Sequence, residues 1–157
     1  MTEIQKEVTF QGRVILPGDL VGEALVSRFG FNTYACFYNS LSDKAVHAIC
    51  ADSGNKDLFG NRLDGKIICL PNSTGSTSAG AVWLRLAKLG LTPKAMLFAR
   101  SIDALAAGGL IIADLWADVR IVTIDQLGDE LLQSVKSGDT LSIKENGLVN
   151  LHPHPRN

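Results

Sequence analysis

Ile67-Ile68-Cys69-Leu70-Pro71-Asn72-Ser73-Thr74-Gly75-Ser76-Thr77-Ser78-Ala79-Gly80-Ala81-Val82-Trp83-Leu84-Arg85-Leu86-Ala87-Lys88-Leu89-Gly90 joins an uncharged apolar run to a helical pattern through ten residues rich in glycine and hydroxyls. The apolar run predicts a buried strand over 66–70. Val82, Leu84, Leu86, Ala87 and Leu89 predict a helix over 77–89, with Gly90 placed to end it and Pro93 just beyond. A strand that ends in such a run and then opens a helix leaves backbone N–H groups without partners, at the positive end of the helix dipole. Several hydroxyls share that position, so the turn is a site for a carboxylate or a phosphate.

Outward from this unit, Ala95 to Ala99 predicts a strand. Asp103 to Ala107 predicts a short helix stopped by Gly108-Gly109, and Leu110-Ile111-Ile112 a further apolar strand. This alternation argues for partly parallel pairing. Arg120 to Ile124 reads as another strand, and Asp125 to Leu132 as a turn or short helix. Thr140 to Glu145 and Leu148 to Leu151 alternate apolar with polar across Asn146-Gly147, a strong hairpin signal. Upstream, Glu7 to Leu16 and Leu20 to Ser27 are β-rich and separated by Pro17-Gly18-Asp19, which predicts a second hairpin. Residues 28–65 are loop-rich apart from a short strand over 44–50. The expected fold is one mixed α/β domain over residues 1–157, with a βαβ-like middle, antiparallel hairpins at both ends and a flexible tail over 152–157.

Composition narrows the function. Fifteen basic residues stand against 16 acidic ones in 157, a net charge of −1, so no field gathers nucleic acid or acidic membranes. No window has the roughly 18 apolar residues of a membrane span, and Met1 to Glu7 lacks the pattern of a signal peptide. The expected location is cytoplasmic. The cysteines are three, Cys36, Cys50 and Cys69, with no CxxC spacing, and Cys50 and Cys69 sit in apolar runs as small hydrophobes.

Ser76 is the candidate for chemistry because it follows Gly75 in a turn where the backbone can approach a ligand. To act as a base it needs donors that stabilise an alkoxide, which the helix start supplies in part and a cation must complete. Ser76 or Thr77 also suits a plain N-cap role. The run is not a P-loop, since no lysine follows the glycine, and it is not a GxSxG elbow. His152 and His154 lie in the tail and His47 in a predicted strand, so a Ser-His-Asp triad has little support. Arg100 and Ser101 leave the strand at 95–99 beside the hydroxyl turn if the two strands are parallel neighbours, and Arg100 could clamp a carboxylate. Arg62 shares that ambiguity. No His, Cys, Asp and Glu spacing suits a metal.

With these residues in view, the chain resembles the small subunit, or swivelling domain, of the aconitase X family. The likeness rests on Gly12-Arg13-Val14, Gly22-Glu23-Ala24-Leu25-Val26-Ser27, Leu63-Asp64-Gly65-Lys66-Ile67-Ile68 and the turn from Pro71 to Gly80, with further points at Leu91-Thr92-Pro93-Lys94-Ala95 and Ala107-Gly108-Gly109-Leu110. It spans roughly Gly12 to Leu151. The resemblance implies a swivelling β/β/α domain with barrel-like sheets. It implies docking on a larger subunit that holds an iron–sulfur cluster, this chain binding no cofactor itself, to form a dehydratase acting on a small anionic hydroxy acid. Members are similar to hydroxyproline dehydratases or to phosphomevalonate dehydratase.

In related aconitases a Gly-Ser-Ser-Arg turn supplies the serine base. Laid on Gly75-Ser76-Thr77-Ser78, this gives Ser76 the catalytic role, with Asn72, Ser73, Thr74, Gly75, Thr77, Ser78 and Arg100 around the substrate. Ser78 stands where that turn has arginine, which leaves the cation to the partner or to Arg100. The Gly-Gly-Val-Asp-Pro-like loop usual after the second strand is replaced by residues 31–40. The alternative is a non-catalytic swivelling domain that uses the same anion site only to hold a ligand.

Overall fold

The computed structural model of the chain describes residues 7–75 and 77–156. Its strands are β1 (Val8–Gln11), β2 (Arg13–Leu16), β3 (Leu20–Val26), β4 (Ile67–Leu70), β5 (Ala95–Phe98), β6 (Val122–Asp125), β7 (Thr140–Ile143) and β8 (Leu148–His152). The helices are α1 (Thr33–Phe37), α2 (Ala79–Leu89), α3 (Ala104–Ala117) and α4 (Glu130–Ser134). The eight strands form one sheet in the order β1-β8-β7-β3-β4-β5-β6-β2. The four central strands β3 to β6 run parallel and the outer pairings are antiparallel. The two end strands are separated in sequence only by Gly12, so the sheet nearly closes on itself like a barrel. A Cβ at Gly12 would lie 2.5 Å from the Asp125 carbonyl oxygen and 2.6 Å from Ile124 Cγ2, so this corner requires glycine.

The mixed α/β class, the parallel middle and the Asn146-Gly147 hairpin agree with the sequence reading. The first predicted hairpin does not form: β1 pairs β8, β2 pairs β6, and β3 pairs β7 and β4. Gly12 breaks the run read as one strand and sends its halves to opposite ends of the sheet. The segment 44–50 is turns, with a single antiparallel bridge between Ile49 and Arg62.

Strands β4 and β5 are buried along their whole length because both faces are covered. Ile68, Leu70, Met96 and Phe98 point into a core shared with the helices, including Trp83, Leu86 and Leu110. The alternate residues Ile67, Cys69, Ala95 and Leu97 point into a second core with Leu141, Ile143 and Val149 of the antiparallel strands. Cys69 behaves as the expected small hydrophobe, its thiol pushed up to about 12 by burial.

The helix α3 runs straight through Gly108-Gly109, where a stop and then a strand were predicted. Its packing explains why. A Cβ at Gly109 would meet Trp83 Cδ1 at 2.8 Å and Gly80 Cα at 3.1 Å, so the glycine lets α3 approach α2 backbone to backbone. Close packing of the two helices outweighs the roughly 1 kcal/mol that a helical glycine costs. Trp83 is buried and meets Phe37 of α1 edge-on at 5.3 Å between ring centroids. One indole thus joins three helices. No helix among the described residues is long and apolar enough to cross a membrane.

Residues just after β8 make specific contacts. His152 belongs to β8, and buried Asp139 accepts hydrogen bonds from the N–H groups of Lys136 (2.8 Å) and His154 (2.9 Å) and from Arg156 Nη2 (3.0 Å). Burial alone would raise this carboxyl, but the two N–H groups and the guanidinium outweigh it and hold its pKa below the ordinary 3.8. The unfolded chain then binds more protons than the folded one between those two values. Stability contributed by Asp139 is therefore complete above the ordinary aspartate pKa and is lost as pH falls through the depressed one. The urea midpoint should drop between about pH 7 and about pH 3, and Asp139→Asn should reduce that drop. An equal acid-induced loss in both proteins would remove Asp139 from the account.

Candidate functional site

Parallel neighbours β4 and β5 release their loops side by side. The Ala99 N–H donates to the Leu70 carbonyl (2.9 Å) and the Arg100 N–H to the Pro71 carbonyl (3.1 Å). The hydroxyl turn and the loop entering α3 therefore leave the sheet at one end, where ligands bind in open parallel sheets. A third segment joins them. Phe31 bridges Ser73 in parallel: its N–H donates to the Asn72 carbonyl (2.9 Å) and its carbonyl accepts from the Thr74 N–H (2.9 Å). The next residue, Asn32, caps α1 by accepting from the Ala35 N–H (3.1 Å).

Between these segments lies a cavity of about 390 Å³ lined by Thr33 and by residues 73–75, 79 and 103–106. Asp103 organises it. One carboxylate oxygen accepts from the Ala106 N–H at 2.9 Å, which caps α3, and the other accepts the Ser73 hydroxyl in a short hydrogen bond. Burial pushes the Asp103 carboxyl up, but the Ser73 hydroxyl and the N–H groups at the helix start outweigh it and hold the pKa below the ordinary aspartate value. The positive end of α3 is thus already matched by a carboxylate. The first turn of α2 carries no acidic residue, so no carboxylate of its own opposes an anion there. Gly75 has φ of +66°, a left-handed conformation that glycine adopts without strain, and it turns the chain toward that helix start.

Ser73, Thr74 and Gly75 are brought together in the cavity wall as the sequence reading expects. Ser76 lies outside the described residues. Asn72 is half-buried and its side-chain amide donates to the Ser73 carbonyl at 3.2 Å, so it shapes the turn. Thr77 and Ser78 are exposed, with Ser78 at the N-cap position of α2, which begins at Ala79 and not at 77. Arg100 is not brought to the cavity: its guanidinium faces Asp129 at 3.7 Å across an exposed ion pair. Arg62 and His47 converge instead on buried Asp64, at 2.8 and 3.3 Å, in a separate part of the molecule. Asp103, Asn32 and Thr33 were missed as site residues. Asp103 carried a helix-start signal, but its partner Ser73 is 30 residues away in sequence.

Among the described residues no group of three or more His, Cys, Asp or Glu could hold a metal ion. Cys36, Cys50 and Cys69 are buried free thiols. A hydrogen bond to Cys50, together with burial, pushes the Cys36 thiol up.

The profile of the family described as the aconitase X swivel domain matches residues 9–151, from within β1 to within β8. The chain belongs to the aconitase X swivel domain family. This swivel domain is 28% identical over 143 residues to the phosphomevalonate dehydratase small subunit of Archaeoglobus fulgidus, covering 90% of this chain and 97% of the relative. It is 34% identical over 103 residues to the protein of the same name from Pyrococcus furiosus, covering 66% and 71% respectively. Its fold superposes on the crystal structure of Thermococcus kodakaraensis aconitase X in the holo-form with a TM-score of 0.76 at 26% identity, covering 92% of this chain and 98% of that one.

Proposed function

We propose that this swivel domain is the small subunit of a cytoplasmic aconitase X-type hydro-lyase that dehydrates phosphomevalonate, completing its active site with a large subunit. The observation that carries this reading is the likeness to a phosphomevalonate dehydratase small subunit over 97% of that relative's length. The two relatives favour phosphomevalonate over hydroxyproline. The positive end of α2, with no acidic residue in its first turn, borders the cavity at Ala79 and suits an anionic substrate.

In this reading Ser76 removes a proton from the carbon next to the substrate carboxylate, and the amides at the start of α2 stabilise the alkoxide that accepts it. The freed electron pair forms the carbon–carbon double bond as the hydroxyl group departs. The backbone of Thr74 and Gly75 positions the anion, on a turn that Ser73 ties to Asp103. In this reading an iron–sulfur cluster belongs to the large subunit, where it would supply a Lewis acid toward the leaving hydroxyl.

Reconstitution tests the reading. The chain is co-expressed with a candidate large subunit from its own gene neighbourhood, and dehydration of phosphomevalonate and of hydroxyproline is followed by product formation. The expected result is turnover of phosphomevalonate only when both chains are present. Equal turnover by the large chain alone, or turnover of hydroxyproline only, would overturn it.

A further inference from the structure

We infer that the exposed apolar face of α3 is the seat of the large subunit, an inference that rests on the small-subunit reading above. Asp114 is the only ionisable residue among the 14 of this helix. Ala106, Gly109, Leu110 and Ala113 face inward. Elsewhere on the helix Leu105, Ile111, Leu115 and Trp116 are 56%, 37%, 71% and 73% exposed. At 3.6 residues per turn Ile111 and Leu115 fall opposite the core and Leu105 and Trp116 on one flank, so together they make an apolar stripe about 140° wide along a helix about 20 Å long. Asp114 does not interrupt it, because its carboxylate is held by Arg120 at 2.8 Å. The neighbouring α2, by contrast, carries Arg85 and Lys88. An outer face without charge on a surface helix marks a contact surface.

Two observations identify what covers it. The stripe is continuous with the site, since Leu105 is both its first residue and part of the cavity wall. A protein that closes the cavity mouth must therefore rest on the start of this stripe. Among the described residues the wall also contains one carboxylate, Asp103, and no basic side chain, so an anionic substrate requires a cation from the protein that closes it. A second copy seated on the same face would bring another Asp103. A different chain with a basic group beside an apolar patch supplies what is missing.

The double variant Leu115→Glu/Trp116→Glu places two charges on side chains that already face solvent, so the free chain should melt as wild type does. Its affinity for the large subunit, measured by titration calorimetry, should fall by about 100-fold, the loss expected when anchor residues at an interface centre are removed and charges are buried in their place. Turnover should return to the wild-type level once the variant saturates the large subunit. Val21→Glu, at a 58% exposed site on β3, should bind normally. Wild-type affinity in the double variant would overturn the assignment of the face and leave the subunit reading intact. Dimerisation of the chain through this stripe, with the large subunit binding both forms alike, would do the same. Failure of the wild-type chain itself to bind would remove both.

Discussion

Ser76→Ala should lower kcat for dehydration in the reconstituted complex by about 10²- to 10⁴-fold, with little change in KM. A methyl group cannot take a proton, whereas substrate binding depends on the turn backbone, the α2 helix start and groups from the partner, none of which the substitution removes. The split between kcat and KM is the informative readout, because a serine that only capped or shaped the turn would alter KM or subunit affinity instead. Titration calorimetry with the large subunit should show unchanged association. Turnover equal to wild type would exclude Ser76 as the base and favour the non-catalytic reading, in which the hydroxyl turn only holds a ligand. Ser73→Ala offers a useful contrast. Ser73 donates to Asp103 and positions the loop, so its loss should raise KM more than it lowers kcat.

Trp83→Ala should cost about 3–5 kcal/mol of folding stability, whereas Trp83→Phe should cost much less. The indole is fully enclosed, meets Phe37 edge-on and closes against Gly109, so its truncation opens a cavity where α1, α2 and α3 meet. Its Nε1 finds no hydrogen-bond partner among the described residues. Phenylalanine therefore gives up volume but no hydrogen bond, and it removes the cost of a buried polar N–H left unmatched. Denaturant unfolding of the isolated chain measures both values. A Phe variant as damaged as the Ala variant would show that the N–H has a partner after all.

What could be read from sequence was what depends on neighbours along the chain. The run from Ile67 to Gly90 yielded strand, turn and helix because each element announces itself within a few residues, and Gly90 caps α2 in the left-handed conformation expected. Asn146-Gly147 did the same for β7 and β8. The failures were long-range. Gly12 reads locally as part of a strand, and only contact with Asp125 and Ile124 shows it to be a corner. Gly108-Gly109 reads as a helix stop until Gly80 and Trp83 are placed against it. The value of Arg13 likewise emerges only in three dimensions, where it makes two hydrogen bonds with buried Asp125 (2.9 and 2.6 Å), which also accepts the Ile102 N–H (2.8 Å) ahead of α3. At the site, the hydroxyl turn was legible but its ties to Asp103 and Phe31 were not. Arg100 reached the expected strand end, while its side chain turned toward Asp129.

The corner at Gly12 also limits how this molecule can meet others. Because the two margins of the sheet are halves of one bent segment, each only four residues long, little unsatisfied ladder is left for a foreign strand to zip onto. Recognition is thereby pushed from main chain to side chain. Partner choice can then change by exchanging a few surface residues while the scaffold behind them stays as it is.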